Sequence, residues 1–254
     1  KLKTCKHGDF LLSSADTHVS RHLNTYGEWA EIELQLFLQI IKPGDIVLDI
    51  GANIGAFTVP LANKVGNFGR VYAIEPQRII FQRLNANIAL NQLSNVITLW
   101  SAVGIESGTV DVPLIDYTHE GNFAAVSLAD PALYNSLATE SVSLVTLDTL
   151  KFQLPGQITG ESSCPQFIKV DVELMEQAVL EGGRRLLARC RPVLHLENPC
   201  VMTSKPLIEL LYELEYTPYW DVHSVYNRAQ FEGVVDDIEP GVFAINVLAV
   251  PNHR

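Results

Sequence analysis

The chain has 254 residues, 47% hydrophobic and 19% charged, a balance that excludes disorder and can build one large core. Its formal net charge of −11 excludes strong long-range attraction to nucleic acid or to an anionic membrane face, so a small-molecule partner is expected, with no nucleic acid and no membrane. No apolar run approaches the roughly 20 residues that cross a bilayer, and the expectation is one cytoplasmic domain over residues 1–254, of open oligomeric state.

Residues 1–27, with the short apolar run Phe10-Leu-Leu12, read as a hairpin or lid ahead of a core over 28–254. Trp29, Ile32, Leu36 and Ile40 recur at helical spacing, and Lys42-Pro43-Gly44-Asp45 ends that helix. Ile46 to Ile50 is a strand entering a glycine loop, Ala56 to Lys64 a helix, and Val71 to Ile74 a second strand closed by Glu75-Pro76. A helix with Ile80, Phe81, Leu84 and Ile88 on one face leads to a third strand over Val96 to Val103. A β-rich insertion near 105–145 follows, with apolar stretches Val110 to Ile115 and Val142 to Leu147. Phe167 to Val172 reads as a core strand, and the helix after it, running to about Ala188, turns Met175, Val179, Gly182 and Leu186 inward. Pro192 to Leu196 is the next strand, and Thr203 or Ser204 caps a helix carrying Leu207, Leu210, Leu211 and Leu214. Thr217 to Val222 and Val242 to Val250 finish the chain, separated by a polar stretch. The alternation predicts an α/β, Rossmann-like fold: about seven strands, mostly parallel with an antiparallel last strand, and helices on both faces.

In such a sheet, ligands bind beyond the carboxyl ends of the strands where the strand order reverses. Asp49-Ile-Gly-Ala-Asn-Ile-Gly55 marks that place. Gly51 permits a tight turn and Gly55 a close helix approach, while Glu75, 24 residues beyond Gly51, can accept hydrogen bonds from both ribose hydroxyls. A dinucleotide loop reads Gly-x-Gly-x-x-Gly, a spacing absent here. A donor with an ammonium, a carboxylate and a sulfonium is better served by Asp49, the loop amides and Asp171, which favours S-adenosylmethionine over NAD. An NAD(P)-dependent enzyme of the same fold and a non-catalytic nucleoside-binding module stay open as alternatives.

The sequence resembles the FkbM-type methyltransferases from about Tyr26 to Pro251. The carriers are Tyr26-Gly-Glu-Trp29, the Asp49–Gly55 loop, Glu75-Pro76, Asn87-Ile-Ala-Leu-Asn91, Ala102-Val-Gly104, Thr146-Leu-Asp-Thr-Leu150, Ile168-Lys-Val-Asp-Val-Glu173 and Glu197-Asn198. The resemblance implies a Rossmann-like class I methyltransferase that O-methylates hydroxyls of sugars, polyketides or other secondary metabolites. It implies that Gly51, Ala52, Asn53 and Gly55 hold the methionine part of the cofactor, Glu75 and Pro76 the ribose, and Ser101 and Ala102 the adenine, with Glu28, Asp49 and Asp171 completing the site. Where such proteins carry glycine after the second acid of Asp-Val-Glu, this chain has Leu174, which is expected to narrow the pocket.

Methyl transfer to a hydroxyl calls for alignment and a base. Asp171, Glu173 and Glu197 are the candidate catalytic residues because they end adjacent core strands. The acids also suggest a magnesium ion on Asp171, Glu197 and Asn198. His195, inside a strand, is expected to be a satisfied core histidine, and His18 and His22 to lie on a solvated face. His119 to Phe123 reads either as a substrate contact or as plain loop. Trp220, His223, Tyr226, Asn227 and Phe231 read either as a sugar-binding face or as loop packing. Tyr26, Glu28 and Trp29 are read as a flap over the cofactor or as a helix cap. Cys5, Cys164, Cys190 and Cys200 lack metal-site spacing and are expected to be reduced thiols.

Overall fold

The computed structural model describes residues 1–129, 134, 136–156 and 162–252. An N-terminal hairpin of β1 (Leu2–Cys5) and β2 (Gly8–Leu11) leads into α1 (Val19–Tyr26) and α2 (Glu31–Ile40). Then come β3 (Ile46–Ile50), α3 (Thr58–Val65), β4 (Arg70–Ile74), α4 (Arg78–Leu90), β5 (Val96–Leu99) and β6 (Ser101–Val103). The insertion holds β7 (Gly108–Pro113) and β8 (Thr139–Val145), and residues 130–133 and 135 of it lie outside the described residues. The chain continues with β9 (Phe167–Val170), α5 (Glu176–Glu181), α6 (Arg184–Cys190), β10 (Val193–Glu197), α7 (Val201–Glu213), β11 (Tyr216–Ser224) and β12 (Phe243–Pro251).

Seven strands form the main sheet in the order β11-β12-β10-β9-β3-β4-β5. The strands β5, β4, β3, β9 and β10 run parallel, and β12 inserts antiparallel to both β10 and β11. Pleating sends alternate side chains to opposite faces. Leu48, Ile50, Ile168, Val170, Leu194 and Leu196 therefore join the core beneath α5–α7, while Val47, Phe167 and Val193 join Leu34, Phe37 and Leu61 beneath α2 and α3. The order reverses between β3 and β9, which puts their carboxyl ends side by side at the ligand-binding edge of the sheet.

Several expectations are corrected by the packing. The third strand is broken after Leu99, and its second half, β6, leaves the main sheet to pair with β8 beside β7. Of the expected α2 stripe, Trp29, Leu36 and Ile40 pack half-buried against the core formed by Leu34, Phe37 and Ile41, whereas Ile32 is 43% exposed. Ala30, with a left-handed φ of 42°, starts the helix at Glu31 and leaves Trp29 outside it. The helix expected to run to Ala188 is interrupted at Gly182, where any Cβ would meet Gly104 O at 2.1 Å. The last helix begins at Val201, ahead of Thr203 and Ser204, with Pro206 inside it.

Neither the short helix α1 nor the anchoring of the hairpin is apparent from periodicity. Asp16 accepts hydrogen bonds from the amides of His18 (3.1 Å) and Ser20 (2.7 Å), which starts α1. Asn87 Oδ1 accepts from Leu11 N at 2.6 Å and Asn91 Oδ1 from Asp9 N at 2.9 Å, tying β2 to α4. Cys164 and Cys190 form a disulfide across 26 residues, correcting the expectation of four free thiols; Cys5 and Cys200 remain free. Spacing alone does not reveal which cysteines the fold brings together. No helix among the described residues is long and apolar enough to cross a membrane.

Candidate active site

Two cavities open at the carboxyl ends of β3, β4, β9 and β10. The first, about 840 Å³, is formed by the loop after β3, the end of β4, β6 and the insertion. The amides of Gly51 and Ala52 both donate to Ile74 O at 3.0 Å, folding the loop back against β4. Gly51 has φ 78°, and a Cβ there would lie 1.8 Å from Asp171 O, so only glycine lets β3 and β9 approach. Asn53 follows with φ 50°; its amide donates to Glu75 Oε2 at 3.0 Å, and Gln77 N donates to Glu75 Oε1 at 2.9 Å. Two backbone amides thus fix the Glu75 carboxylate at the cavity wall. Burial pushes its pKa up to about 7 against the opposing pull of those amides.

Gly51, Ala52, Asn53, Glu75, Pro76, Ser101, Ala102, Asp171 and Glu173 all line this cavity. Asp49 and Gly55 stand behind it: Asp49 is fully buried and accepts the Thr58 hydroxyl at 2.6 Å, while Gly55, at φ 90°, lets Leu84 approach. Glu28 is elsewhere. It accepts Asn227 Nδ2 at 2.7 Å and Phe231 N at 3.1 Å, which makes it an anchor for the loop between β11 and β12 and corrects its assignment to the cofactor.

The insertion roofs the cavity with Ala124, Val126 and Leu128. It is tied down where Gln77 Nε2 donates to Phe123 O at 2.9 Å and Tyr117 donates to Gln77 Oε1 at 2.8 Å. His119 is 83% exposed and paired with Asp116, so its segment is loop, and the contribution of the insertion is apolar cover.

The floor holds a residue the motif reading passed over. Lys169, 2% exposed in the otherwise apolar Phe167–Val170, sits 3.0 Å from Asp171 Oδ2, 3.6 Å from Asp49 Oδ1 and 5.0 Å from the centre of the Phe57 ring. Burial opposes its charge, but Asp171, Asp49 and Glu33 more than offset that and hold its pKa above the ordinary lysine value. A lysine in the centre of a buried strand was the available signal.

Asp171, Glu173 and Glu197 offer carboxylate oxygens all within 4.8 Å of one another. Burial first, then Asp171, Glu173 and Glu176, pushes the Glu197 carboxyl above the ordinary carboxylate range, and burial and Asp171 lead in raising that of Glu173. Glu197 Oε2 is buried with no hydrogen-bond partner. Glu173 and Leu174 both carry left-handed backbone, φ 53° and 76°. Leu174, 37% exposed, lines neither cavity, so it does not narrow the pocket. Asn198 Nδ2 donates to Ser204 Oγ at 3.0 Å, which leaves its Oδ1 buried without a hydrogen-bond partner, and Glu173 joins Asp171 and Glu197.

The second cavity, about 640 Å³, shares Trp29, Phe57, Lys169 and Asp171 with the first and extends to Glu33, His195, Glu197, Phe243 and Asn246. His195 is buried and bonded, as expected of a core histidine, yet it also lines this space. Its Nε2 lies 2.9 Å from Asp221 Oδ2 and its Nδ1 3.6 Å from Glu33 Oε1; His223 bridges the same two acids at 3.3 and 3.6 Å. Burial works against the charge of His223, but Asp221 and Glu33 hold its pKa up to about 9. The aromatic group near the end of the chain does not form one face. His223 enters this network, Trp220 points outward, and Tyr226 and Asn227 fasten the loop.

A doubly wound sheet with β12 inserted antiparallel, and a buried acid beside a glycine turn at its switch point, defines the class I methyltransferase fold. Precorrin-6y C5,15-methyltransferase from Geobacter metallireducens shares that fold, with a TM-score of 0.51 and 12% identity over 95% of this chain and 92% of that one. The model of the methyltransferase FkbM domain matches residues 49–228, and the chain belongs to that family. The domain is that of an S-adenosylmethionine-dependent methyltransferase. Two curated proteins are similar over shorter stretches. One is 23S rRNA (uracil(1939)-C(5))-methyltransferase of Acinetobacter baylyi, 38% identical over 65 residues, or 26% of this chain and 14% of that protein. The other is tRNA(Phe) (4-demethylwyosine(37)-C(7)) aminocarboxypropyltransferase of Methanocaldococcus jannaschii, 43% identical over 60 residues, 24% of each chain. The match thus spans less than a quarter of the length of either relative.

Proposed function

We propose that the protein transfers a methyl group from S-adenosylmethionine to a hydroxyl of a small molecule or glycan. The observation that carries this reading is the junction of the two cavities at Asp171, Lys169, Trp29 and Phe57. The first cavity is the donor site. Glu75 accepts the ribose hydroxyls, Ser101, Ala102 and Pro76 border the adenine, and the Gly51–Asn53 backbone with Asp171 meets the methionine end. When bound, the donor supplies an electrophilic methyl on a sulfonium. The protein aligns the acceptor oxygen with it and excludes water, and this alignment supplies much of the acceleration.

Asp171 is the carboxylate common to both cavities, and Lys169 fixes its orientation at 3.0 Å. It is placed to orient the acceptor hydroxyl and to accept its proton as the oxygen–carbon bond forms. Glu197 and Glu173 flank it. Asp171, Glu173 and Glu197 are also the oxygen donors that fit a magnesium ion, which would hold the acceptor oxygen and favour its ionised form. Full activity in excess chelator would remove the magnesium reading and leave the carboxylates as base and orienting groups.

The carboxylates and aromatic rings of the second cavity suit a polyol or a phenol. Both curated relatives are named for RNA substrates, but a net charge of −11 and carboxylates at the junction repel a polyanion. Methyl-labelled S-adenosylmethionine, incubated with hydroxylated small molecules, oligosaccharides, tRNA and rRNA, separates these acceptors. The expected product is a labelled methyl ether on a small molecule or glycan; label found only in RNA would overturn the proposal.

A further inference from the structure

Apart from Asp171, Glu173 and Glu197, a second group of ligating side chains is drawn together from opposite ends of the chain. His18 caps α1 and His22 lies one turn further on, where its amide donates to His18 O at 2.9 Å. Glu239 arrives from the loop between β11 and β12. Its Oε2 is 2.8 Å from His18 Nδ1 and 3.1 Å from His22 Nε2. His22 is buried, and His18 and Glu239 are half-buried, which corrects the expectation of a solvated histidine face.

We propose that His18, His22 and Glu239 hold a divalent transition-metal ion, zinc foremost, that fastens the loop between β11 and β12 to α1 at the edge of the acceptor cavity. The three ligand atoms lie within 4.8 Å of one another. Bonds of about 2.0–2.2 Å place tetrahedral ligand atoms about 3.3 Å apart, so the nitrogen–oxygen separations need to change by only a few tenths of an ångström. Two imidazoles and one carboxylate form a donor set suited to zinc or a neighbouring first-row ion, whereas magnesium prefers oxygen alone.

The rings are already held in place. Trp29 packs edge-on against His18 (4.9 Å) and His22 (5.2 Å), and His22 against Tyr26 (5.3 Å). Ligands held by such supporting contacts lose little freedom on binding. The loop carrying Glu239 is placed independently: Tyr26 Oη donates to Asp236 O at 2.9 Å and accepts from Ile238 N at 2.7 Å. Three protein ligands leave a fourth position. His18 also lines the acceptor cavity, so that position has room for water or an acceptor oxygen. The ion site stands on these three side chains alone; only its reach to the acceptor rests on the proposed function.

The test uses the 254-residue chain freed of metal with a chelator and titrated with Zn²⁺ against a chromophoric competitor, with Co²⁺ as a spectroscopic stand-in. The proposal predicts one tight ion per chain, visible d–d bands from four-coordinate cobalt, and slower proteolysis within residues 225–242 when zinc is present. His18→Ala and Glu239→Gln should each weaken zinc by about 100-fold or more and abolish the cobalt bands and the protection. Both positions are half-buried, so folding of each variant can be checked by its thermal transition without metal. Zinc binding of equal affinity in both folded variants, or no binding at micromolar zinc, would overturn the site. None of these readouts uses methyl transfer, so their failure would leave the methyltransferase reading untouched.

Discussion

The donor and acceptor cavities meet at Asp171 and Lys169 yet are assembled differently. The donor wall is built around a local backbone frame, the Gly51–Asn53 turn and two amides on Glu75 at the ends of β3 and β4, to which Ser101, Ala102 and the roof of Ala124, Val126 and Leu128 are added from further along the chain. The acceptor wall is mostly side chains from distant segments, with Glu33 from α2, His195 and Glu197 from β10 and Asn246 from β12. A cofactor shared by many enzymes is met by a local, nearly fixed frame, whereas the acceptor is met by long-range contacts that can vary without disturbing that frame.

The sharpest way to break the frame is Gly51→Ala. The new methyl would meet Asp171 O at 1.8 Å on a φ of 78°, so S-adenosylmethionine binding should vanish in calorimetry and unfolding should cost about 3 kcal/mol less. A folded variant with unchanged affinity would contradict the close approach of β3 and β9. Next in size is Asp171→Asn, which keeps the shape and removes the charge. The catalytic rate should fall by about 100-fold or more while donor affinity moves by less than about tenfold. Equal losses in both would make Asp171 a donor ligand only.

Glu75 offers a pH handle on the donor side alone. The folded protein keeps its proton up to about pH 7, so between its ordinary value and 7 the native state binds more protons than the unfolded chain, and this group's contribution to stability falls as pH rises. The bound ribose favours the carboxylate, so donor affinity should rise through pH 7 and then level. Glu75→Gln should flatten that profile and weaken binding by about 10- to 100-fold, as read by calorimetry across the range. The smallest effect is expected at Leu174, which lines neither cavity. Leu174→Gly relieves its left-handed backbone and should raise the thermal midpoint by about 2 °C with donor and acceptor affinities unchanged.

The same contrast explains what the sequence made legible. Strand, glycine turn, helix and terminal acid are contiguous, so the mostly parallel sheet and the meeting of Gly51, Asn53 and Glu75 at one cavity could be read from spacing. Glu28 was misplaced because its partners, Asn227 and the Phe231 amide, lie about 200 residues away. Glu239 was hidden from His18 and His22 for the same reason. The start of α2 at Glu31 was missed for a local reason, the left-handed turn at Ala30, which periodicity does not register. Lys169 was visible as a charge in an apolar strand, but only burial between Asp49 and Asp171 gives it a role.

The central claim, that the methyl crosses at the junction of the two cavities, is tested most directly by a crystal structure with S-adenosylhomocysteine. The ribose should lie on Glu75 and the sulfur should face the space bounded by Asp171, Trp29 and Phe57, open toward Glu33 and Asn246. A sulfur turned instead toward the Val126 and Leu128 roof, with Asp171 out of reach, would contradict the account.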